Sequence, residues 1–340
     1  DSVVKLASNE NALGVSPLAL AAIKRATEEL NLYPDGAHYK LKQALARKMG
    51  ISMPEISCGN GSNEFIDLLM RIFVPRDCNV VAQKHAFIAY KLCAQLQGCG
   101  FLEADVDSDF AVSADSILKT VNASTRIVFL ANPNNPTSTA MHADEVEKLA
   151  AELDRRKVLL VLDYAYWEFV TDSRIPDALE VMKKNGNVIV LRTFSKIYGL
   201  AGLRIGYMIA DPQIIATYER ARQPFNVNSL ALVGAEAALG DDDFVKRTVK
   251  ANAESLTAIE TELAKYPVDV FPKKNPGRKQ ANFLLVDFRK PAAPLYPEFL
   301  KRGVIIRPVA NYGLPNFFRI TGGLAEENKQ LFDALKEVLK

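Results

Sequence analysis

Cysteine and histidine are scarce in this sequence of 340 residues, which contains four cysteines and three histidines. The cysteines Cys58, Cys78, Cys93 and Cys99 form no CxxC pair, so the sequence offers no ligand set for a structural zinc ion, and we predict no metal site. Scattered cysteines in a chain of this size are typical of a reducing compartment, where each is a small core residue. The expected location is therefore the cytoplasm.

Long apolar runs and an excess of charge are also lacking. No run approaches the roughly 18 residues that cross a bilayer, and the residues Asp1-Ser2-Val3-Val4-Lys5 have no apolar stretch of the kind found in signal peptides. The formal net charge is +2, and the densest basic cluster, at 272–279, is expected to be a solvated loop. The sequence thus predicts no membrane partner and no nucleic-acid partner.

What the chain does contain is an ordinary globular composition, with 49% hydrophobic and 24% charged residues. Its length favours two packed domains. Apolar strands alternate with helices over 56–191, which predicts an α/β domain with a mostly parallel sheet. Helices are predicted at 17 to about 31, 39–49, 63–73, 90–96 and 143–155, and strands at 56–58, 79–82, 126–130, 158–162 and 188–191.

The pattern changes after a long helical stretch at about 242–265. Short strands at 282–287, 304–307 and 317–320 and a helix from about Ala325 predict a smaller α+β domain. We expect an irregular N-terminal arm (1–15), a small domain (16–32 and 256–340) and a large domain (33–255).

Four loops follow predicted strands at the edge where ligands of such sheets bind. The loop 58–64 precedes a helix N-terminus that suits an anion, the loop 132–137 fixes asparagines between prolines, and Asp163 follows a buried strand. The fourth loop, 193–206, contains a lysine between hydroxyl residues and an arginine. Each of the first three also fits a plain turn, a cap or a salt bridge.

Lys196, in the fourth loop, lies among small and apolar residues. A lone lysine is usually a solvated surface charge, but desolvation here would lower the pKa of its amine. Only a neutral amine attacks a carbonyl, so this environment suits Schiff-base chemistry. An anion-binding loop, an asparagine, an aspartate, this lysine and an arginine are together the parts needed to hold pyridoxal 5′-phosphate (PLP).

Seven short strings, spread over nearly the whole chain, form a recognisable pattern: Ser8-Asn9-Glu10-Asn11, Tyr33-Pro34-Asp35, Gly59-Asn60-Gly61-Ser62-Asn63-Glu64, Asn134-Asn135-Pro136-Thr137, Asp163-Tyr164-Ala165-Tyr166, the run from Ser195-Lys196 to Gly202-Leu203-Arg204, and Phe318-Arg319-Ile320. With these strings the sequence resembles the class I/II aminotransferases, which are PLP enzymes of fold type I, and among them the histidinol-phosphate aminotransferases. Two positions depart from the family pattern, Ser138 for a glycine and Ala12 for a proline, and neither removes a chemical group.

The resemblance implies a fold, a cofactor and a set of cofactor contacts. The fold is the α/β fold type I, with a large domain around a mostly parallel sheet and a smaller α+β domain. Lys196 would carry PLP covalently and move protons, and Asp163 would pair with the pyridine nitrogen. Asn135 and Tyr166 would hydrogen-bond the phenolic oxygen, and Phe87 would stack on the ring, although an ordinary core position also fits this phenylalanine.

The resemblance also implies how anions are held. The cofactor phosphate would be bound by Ser62, Asn63, Thr193, Ser195 and Arg204.

Three further residues complete the implied site. Tyr33 would reach the cofactor phosphate of a neighbouring subunit, which implies a homodimer with shared active sites. Arg319 would bind the substrate carboxylate and Arg307 a distal anion, with a surface arginine and a structural salt bridge as the respective alternatives.

The implied reaction is transamination between L-histidinol phosphate and 2-oxoglutarate. The same site also suits an aromatic amino acid such as tyrosine or phenylalanine, or the decarboxylation of a threonine phosphate. A non-catalytic regulator of this fold is disfavoured, because the sequence has no basic helix-turn-helix segment. A nicotinamide dehydrogenase is disfavoured, because no GxGxxG opens a helix after the first strand.

Overall fold

Two β-sheets organise the chain in the computed structural model, which describes residues 3–275, 277 and 279–339. Pro276 and Arg278 of the predicted basic loop therefore lie outside the described residues. The strands are β1 (Val4–Leu6), β2 (Ile56–Gly59), β3 (Asn79–Gln83), β4 (Gly100–Ala104), β5 (Thr125–Ala131), β6 (Leu159–Asp163), β7 (Val188–Thr193), β8 (Gly206–Ile209), β9 (Asp269–Phe271), β10 (Phe283–Asp287), β11 (Val304–Pro308) and β12 (Phe317–Thr321).

Helices connect most of these strands. They are α1 (Pro17–Ala26), α2 (Tyr39–Met49), α3 (Ser62–Phe73), α4 (Ala89–Gln97), α5 (Ala114–Thr120), α6 (Ala143–Arg155), α7 (Ala178–Lys184), α8 (Pro212–Ala221), α9 (Ser229–Ala238), α10 (Asp242–Leu263), α11 (Ala292–Lys301) and α12 (Ala325–Val338).

Helix α1 begins where the sequence predicts but ends earlier. The Ser16 hydroxyl accepts a hydrogen bond from the Ala19 N–H, and Pro17 occupies the first helical position. The predicted end near residue 31 is wrong, because a 3₁₀ turn, Thr27–Glu29, follows the helix. None of these three residues is buried, so no packing energy extends the helix.

The larger sheet has seven strands in the order β2-β8-β7-β6-β5-β3-β4. Strand β8 is antiparallel to both of its neighbours, and the other pairs are parallel, so the predicted mostly parallel sheet is confirmed. Val128 and Leu130 of β5 share one hydrophobic cluster with residues of α6, whereas Ile127 and Phe129 share another with residues of α3 and α4. Helices therefore cover both faces of this sheet.

The smaller sheet has five strands in the order β1-β11-β12-β10-β9. Strand β1 pairs in parallel with β11, which corrects the expectation of a wholly irregular arm. Val4 and Leu6 are buried and Lys5 between them is exposed, which is the alternation of a β-strand. Three residues are too few for this alternation to be recognised in the sequence. One face of β10 packs on α10 and α12.

The division into a large and a small domain stays a proposal. The proposed boundary at residue 255 lies within α10, and α1, which we assigned to the small domain, packs against α9. Within the described part of the chain, no helix combines the length and the apolar character needed to cross a bilayer.

The N-terminal arm crosses the loop that contains Lys196 at Gly199. The φ angle of Gly199 is 69°, in the left-handed region that favours glycine, and a Cβ atom there would lie 1.9 Å from the Gly14 carbonyl oxygen. The Asn11 side chain also donates to the Ile197 carbonyl oxygen at 2.8 Å. The absence of a side chain at position 199 is thus what allows the arm and the loop to touch.

We predict that Gly199→Ala lowers the free energy of unfolding by about 2 kcal/mol or more, since it adds both backbone strain and a steric clash. Gly186→Ala is the matched control, because a Cβ atom at Gly186 would have no neighbouring atom within 4 Å and the φ angle there is not positive. Chemical denaturation of both variants measures the difference. Equal stability of the two variants would contradict the close contact.

Candidate active site

A cavity of about 350 Å³ lies at the C-terminal ends of β5, β6 and β7, which contribute Ala131, Asp163 and Thr193 to its wall. Parallel strands end together at this edge, so residues far apart in sequence meet there. The lining includes twelve of the thirteen predicted site residues: Ser62, Asn63, Phe87, Asn135, Asp163, Tyr166, Thr193, Ser195, Lys196, Arg204, Arg307 and Arg319.

Tyr33 is the predicted residue that does not line this cavity. Its side chain is 83% exposed and stacks on the ring of Phe225, with 4.8 Å between ring centroids. Its role in the site of a second subunit stays a prediction.

The amine of Lys196 lies inside this cavity and donates a hydrogen bond to the Ser8 carbonyl oxygen at 3.3 Å. The side chain keeps some accessible surface because it faces the cavity, but protein atoms surround it. Burial, followed by the positive charge of Arg319, lowers the pKa of the Lys196 amine to about 8. The direction agrees with the prediction from its apolar neighbours, and about a tenth of the amine is neutral at pH 7.

The Asp163 carboxylate is buried at the end of β6, with only 5% of the residue exposed. Tyr90 donates its hydroxyl proton to Oδ2 at 2.7 Å, while Oδ1 is buried and has no hydrogen-bond partner among the described residues. Burial raises the pKa of Asp163, and the hydrogen bond from Tyr90 opposes that effect. A cationic partner at Oδ1 would keep this carboxylate ionised.

Arg319 and Tyr166 are each held by several neighbours. Arg319 donates from Nη1 to Asn135 Oδ1 at 2.6 Å and from Nη2 to the Ala7 carbonyl oxygen at 2.5 Å, and its buried Nε has no partner in the described chain. The Tyr166 hydroxyl accepts from Asn9 Nδ2 at 2.8 Å, and burial raises the pKa of this phenol to about 12. Tyr166 thus keeps its proton and can donate a hydrogen bond to a ligand.

The groups predicted to hold a phosphate surround the N-terminus of α3, which begins at Ser62. Gly61 precedes the helix with φ of 75°, and a Cβ atom there would lie 2.7 Å from Arg204 Nη2. The missing side chain lets the guanidinium approach the free N–H groups of the helix. The Thr193 and Ser195 hydroxyls, 3.0 Å apart, lie in the same cavity. This arrangement suits a dianion.

Arg307 lies at the edge of the cavity and is more exposed than Arg319. Its Nε donates a long hydrogen bond of 3.4 Å to the same carbonyl oxygen, Ala7 O, that Arg319 uses. The two guanidinium groups therefore converge on one region of the cavity wall.

Sequence reasoning missed two residues that contact the site, Asn9 and Tyr90. Asn9 lies in a string that we compared with the family without giving the residue a role. Tyr90 lies three residues after Phe87, so both can lie on one side of the chain as it enters α4. That spacing was the signal that could have found Tyr90.

The described residues fit PLP. Asp163 presents a buried oxygen without a partner, Lys196 has an amine of lowered pKa, and the N-terminus of α3 offers an anion site with Arg204 beside it. Asp163 would bind the pyridine nitrogen of PLP, Lys196 its aldehyde carbon, and the N-terminus of α3 with Arg204 its phosphate.

Comparisons with known proteins support this assignment. The family model for aminotransferase class I and II matches residues 1–335. A histidinol-phosphate aminotransferase 2 of Pseudomonas fluorescens (strain Pf0-1) is 41% identical over 340 residues, covering 99% of this chain and 89% of the relative. A protein of the same name from Methylococcus capsulatus is 42% identical over 342 residues, covering 99% of this chain and 90% of the relative.

Solved structures agree with the sequence comparisons. The histidinol-phosphate aminotransferase of Sinorhizobium meliloti, crystallised in complex with pyridoxal-5′-phosphate, superposes with a TM-score of 0.91 at 30% identity, covering 100% of this chain and 91% of that one. The predicted fold type I is thereby confirmed. The chain belongs to the class I and II aminotransferase family.

Proposed function

We propose that this chain is a PLP-dependent aminotransferase that transfers the amino group of L-histidinol phosphate to 2-oxoglutarate, giving imidazole-acetol phosphate and glutamate in histidine biosynthesis. The names of the relatives above support this substrate. The observation that carries the proposal is that Arg307 and Arg319 line the same cavity as Lys196. Two guanidinium groups facing a reactive amine suit substrates that bear an anionic group on a short chain.

When bound, PLP supplies an electrophilic aldehyde and an electron-accepting ring. Lys196 would hold the cofactor covalently at that aldehyde carbon through its amine, and its lowered pKa makes the neutral form of the amine available. The Lys196 amine would also be the base that takes the proton from the substrate Cα.

The neighbours of Lys196 would hold the cofactor in place. Asp163 would keep a proton on the ring nitrogen through Oδ1, and the Tyr166 hydroxyl would donate a hydrogen bond to the phenolic oxygen while accepting one from Asn9. Asn135 accepts a hydrogen bond from Arg319. A substrate that binds Arg319 would therefore also affect the contact between Asn135 and the cofactor.

The two substrates of the reaction place different anions at the same site. L-Histidinol phosphate carries a phosphate and no carboxylate, whereas glutamate carries two carboxylates. Arg319 donates from both Nη atoms to neutral oxygens, which an anion can replace with a stronger, charge-assisted bond. Arg307, more exposed, would bind the distal anion.

We predict that, with 2-oxoglutarate as acceptor, L-histidinol phosphate supports a kcat/KM about tenfold or more above that of tyrosine or phenylalanine, because only the former places a phosphate against the two arginines. Measuring glutamate formation with each donor tests this. Lys196→Ala should abolish turnover, and the surface variant Lys183→Ala should retain it. Preference for an aromatic donor, or release of carbon dioxide, would contradict the proposed substrate.

The lowered pKa of Lys196 predicts how the apo protein reacts with PLP at different pH values. With a pKa of about 8, the neutral fraction of the amine rises about tenfold between pH 7 and pH 9 and then levels off, whereas a lysine of ordinary pKa gains about a hundredfold without levelling. The rate of covalent capture, followed by absorbance with Lys196→Ala as the blank, measures this. A rate still climbing steeply above pH 9 would contradict a desolvated amine.

We propose that two copies of this chain form a homodimer in the cytoplasm. Leu30, Leu32 and Tyr33 are 58%, 60% and 83% exposed, and Phe225, stacked on Tyr33, is 46% exposed. A cluster of large exposed apolar side chains is typical of a surface that another protein covers. The four free cysteine thiols support a reducing location.

Mixing two inactive variants tests whether Tyr33 serves the site of the other subunit. In a hybrid of Lys196→Ala with Tyr33→Ala, one site combines an intact Lys196 with Tyr33 from its neighbour, so we predict that activity reappears on mixing the subunits. Refolded mixtures are compared with each variant alone, and sedimentation confirms the dimer. If the mixture is no more active than the average of the two variants, Tyr33 does not act across the interface.

A further inference from the structure

Tyr90, in α4, is a fully buried tyrosine that contacts two residues of the cavity lining, Phe87 and Asp163. Its ring stacks on that of Phe129 in β5, with 4.8 Å between centroids and 18° between planes. The ring of Phe87, which lines the cavity, packs against Tyr90 edge-on at 5.9 Å. Both contacts fix the direction of the Tyr90 hydroxyl, because a closely packed ring cannot change its rotamer freely.

The hydroxyl of Tyr90 donates a hydrogen bond of 2.7 Å to Asp163 Oδ2. Burial, and then the charge of Asp163, raises the pKa of Tyr90 well above its ordinary value, so the phenol keeps its proton and acts as the donor. A hydrogen bond to an ionised acceptor is stronger and more directional than a neutral one.

The two carboxylate oxygens of Asp163 are thereby made unequal. Oδ2 is bound by Tyr90, whereas Oδ1 is buried and has no partner among the described residues. Leaving a buried acceptor unpaired is unfavourable, so Oδ1 is the atom that a ligand hydrogen would satisfy. The backbone of Ala165 also hydrogen-bonds this carboxylate. Among the described residues, Tyr90 is the side chain that donates to it, and it engages Oδ2 and not Oδ1.

We propose that Tyr90 is a positioning residue that holds Asp163 by Oδ2 so that Oδ1 receives the ring N–H of the cofactor. The inference deepens the proposed function and rests on it, because it assumes that PLP is the ligand. Tyr90 itself touches Asp163 and the core, and it acts on the cofactor only through that carboxylate.

The test uses apo protein and two ligands that differ at one atom. PLP has a ring nitrogen, and 1-deaza-pyridoxal 5′-phosphate has a carbon in its place, so only PLP can use Asp163 Oδ1. For Tyr90→Phe, we predict that the Kd of PLP rises about tenfold, while the Kd of the deaza analogue is unchanged. The readout is equilibrium binding followed by quenching of protein fluorescence, which needs no turnover.

Tyr218→Phe is the matched control. Tyr218 is fully buried in the same hydrophobic cluster as Tyr90, and its hydroxyl has no hydrogen-bond partner among the described residues. This variant should leave both Kd values unchanged. An unchanged Kd of PLP in Tyr90→Phe, or an equal loss for both ligands, would overturn the proposal. Failure of wild-type protein to bind PLP at all would instead overturn the proposed function.

A second background covers the case in which Tyr90→Phe does not fold because a buried carboxylate loses its side-chain hydrogen-bond donor. Asp163→Asn removes that charge, so the double variant with Tyr90→Phe carries no buried ion there. We predict that the double variant binds PLP as weakly as Asp163→Asn alone, because Tyr90 acts only through Asp163. A further loss of affinity in the double variant would show a different role for Tyr90 and overturn the proposal.

Discussion

The active site depends on one electrostatic constraint. An ammonium group is unfavourable in a cavity that already holds guanidinium groups. Lys196 shares its cavity with Arg319 and Arg204, and both lower the pKa of its amine in addition to the effect of burial. The same two guanidinium groups that disfavour the charged form of Lys196 would attract the phosphates and carboxylates of cofactor and substrates. Anion binding and amine reactivity therefore arise from one arrangement of charge.

The N-terminal arm connects these cations to both sheets. The Ala7 and Ser8 carbonyl oxygens accept hydrogen bonds from Arg319 and Lys196, so the backbone of the arm partly offsets their charge. Asn9 donates to Tyr166 and accepts from Thr321 of β12, which links the cavity wall to the small sheet. The crossing of arm and loop at Gly199 keeps these carbonyl groups in place. The arm is thus a structural part of the site.

How much of the site the sequence predicts depends on whether the signal is local. Asp163 ends the apolar strand β6 and Lys196 lies shortly after the end of β7, so their position at the C-terminal edge of the sheet could be inferred from neighbouring residues alone. Asn9 could not be found in this way, because its partner Tyr166 lies 157 residues away. The spacing of Tyr90 from Phe87 could place Tyr90 near the site, but its contact with Asp163, 73 residues away, leaves no local signal. Such contacts exist only once the sheet has assembled.

The same distinction holds for the fold. The runs at 158–162 and 188–191 predicted strands buried on both faces, and Leu160, Val161 and Leu162 are indeed fully buried. The antiparallel insertion of β8 between β2 and β7 left no comparable signal, since a four-residue strand does not carry its own direction. Strand β1 was missed because three residues are too few for a period to stand out.

The most direct measurement concerns the amine of Lys196. Treating the PLP-loaded protein with borohydride fixes any covalent link between cofactor and protein, and peptide mass analysis then locates the modified residue. A single modification at Lys196, absent when the protein is unfolded before PLP is added, is the result that this account predicts. Modification spread over other lysines, or none at Lys196, would contradict it.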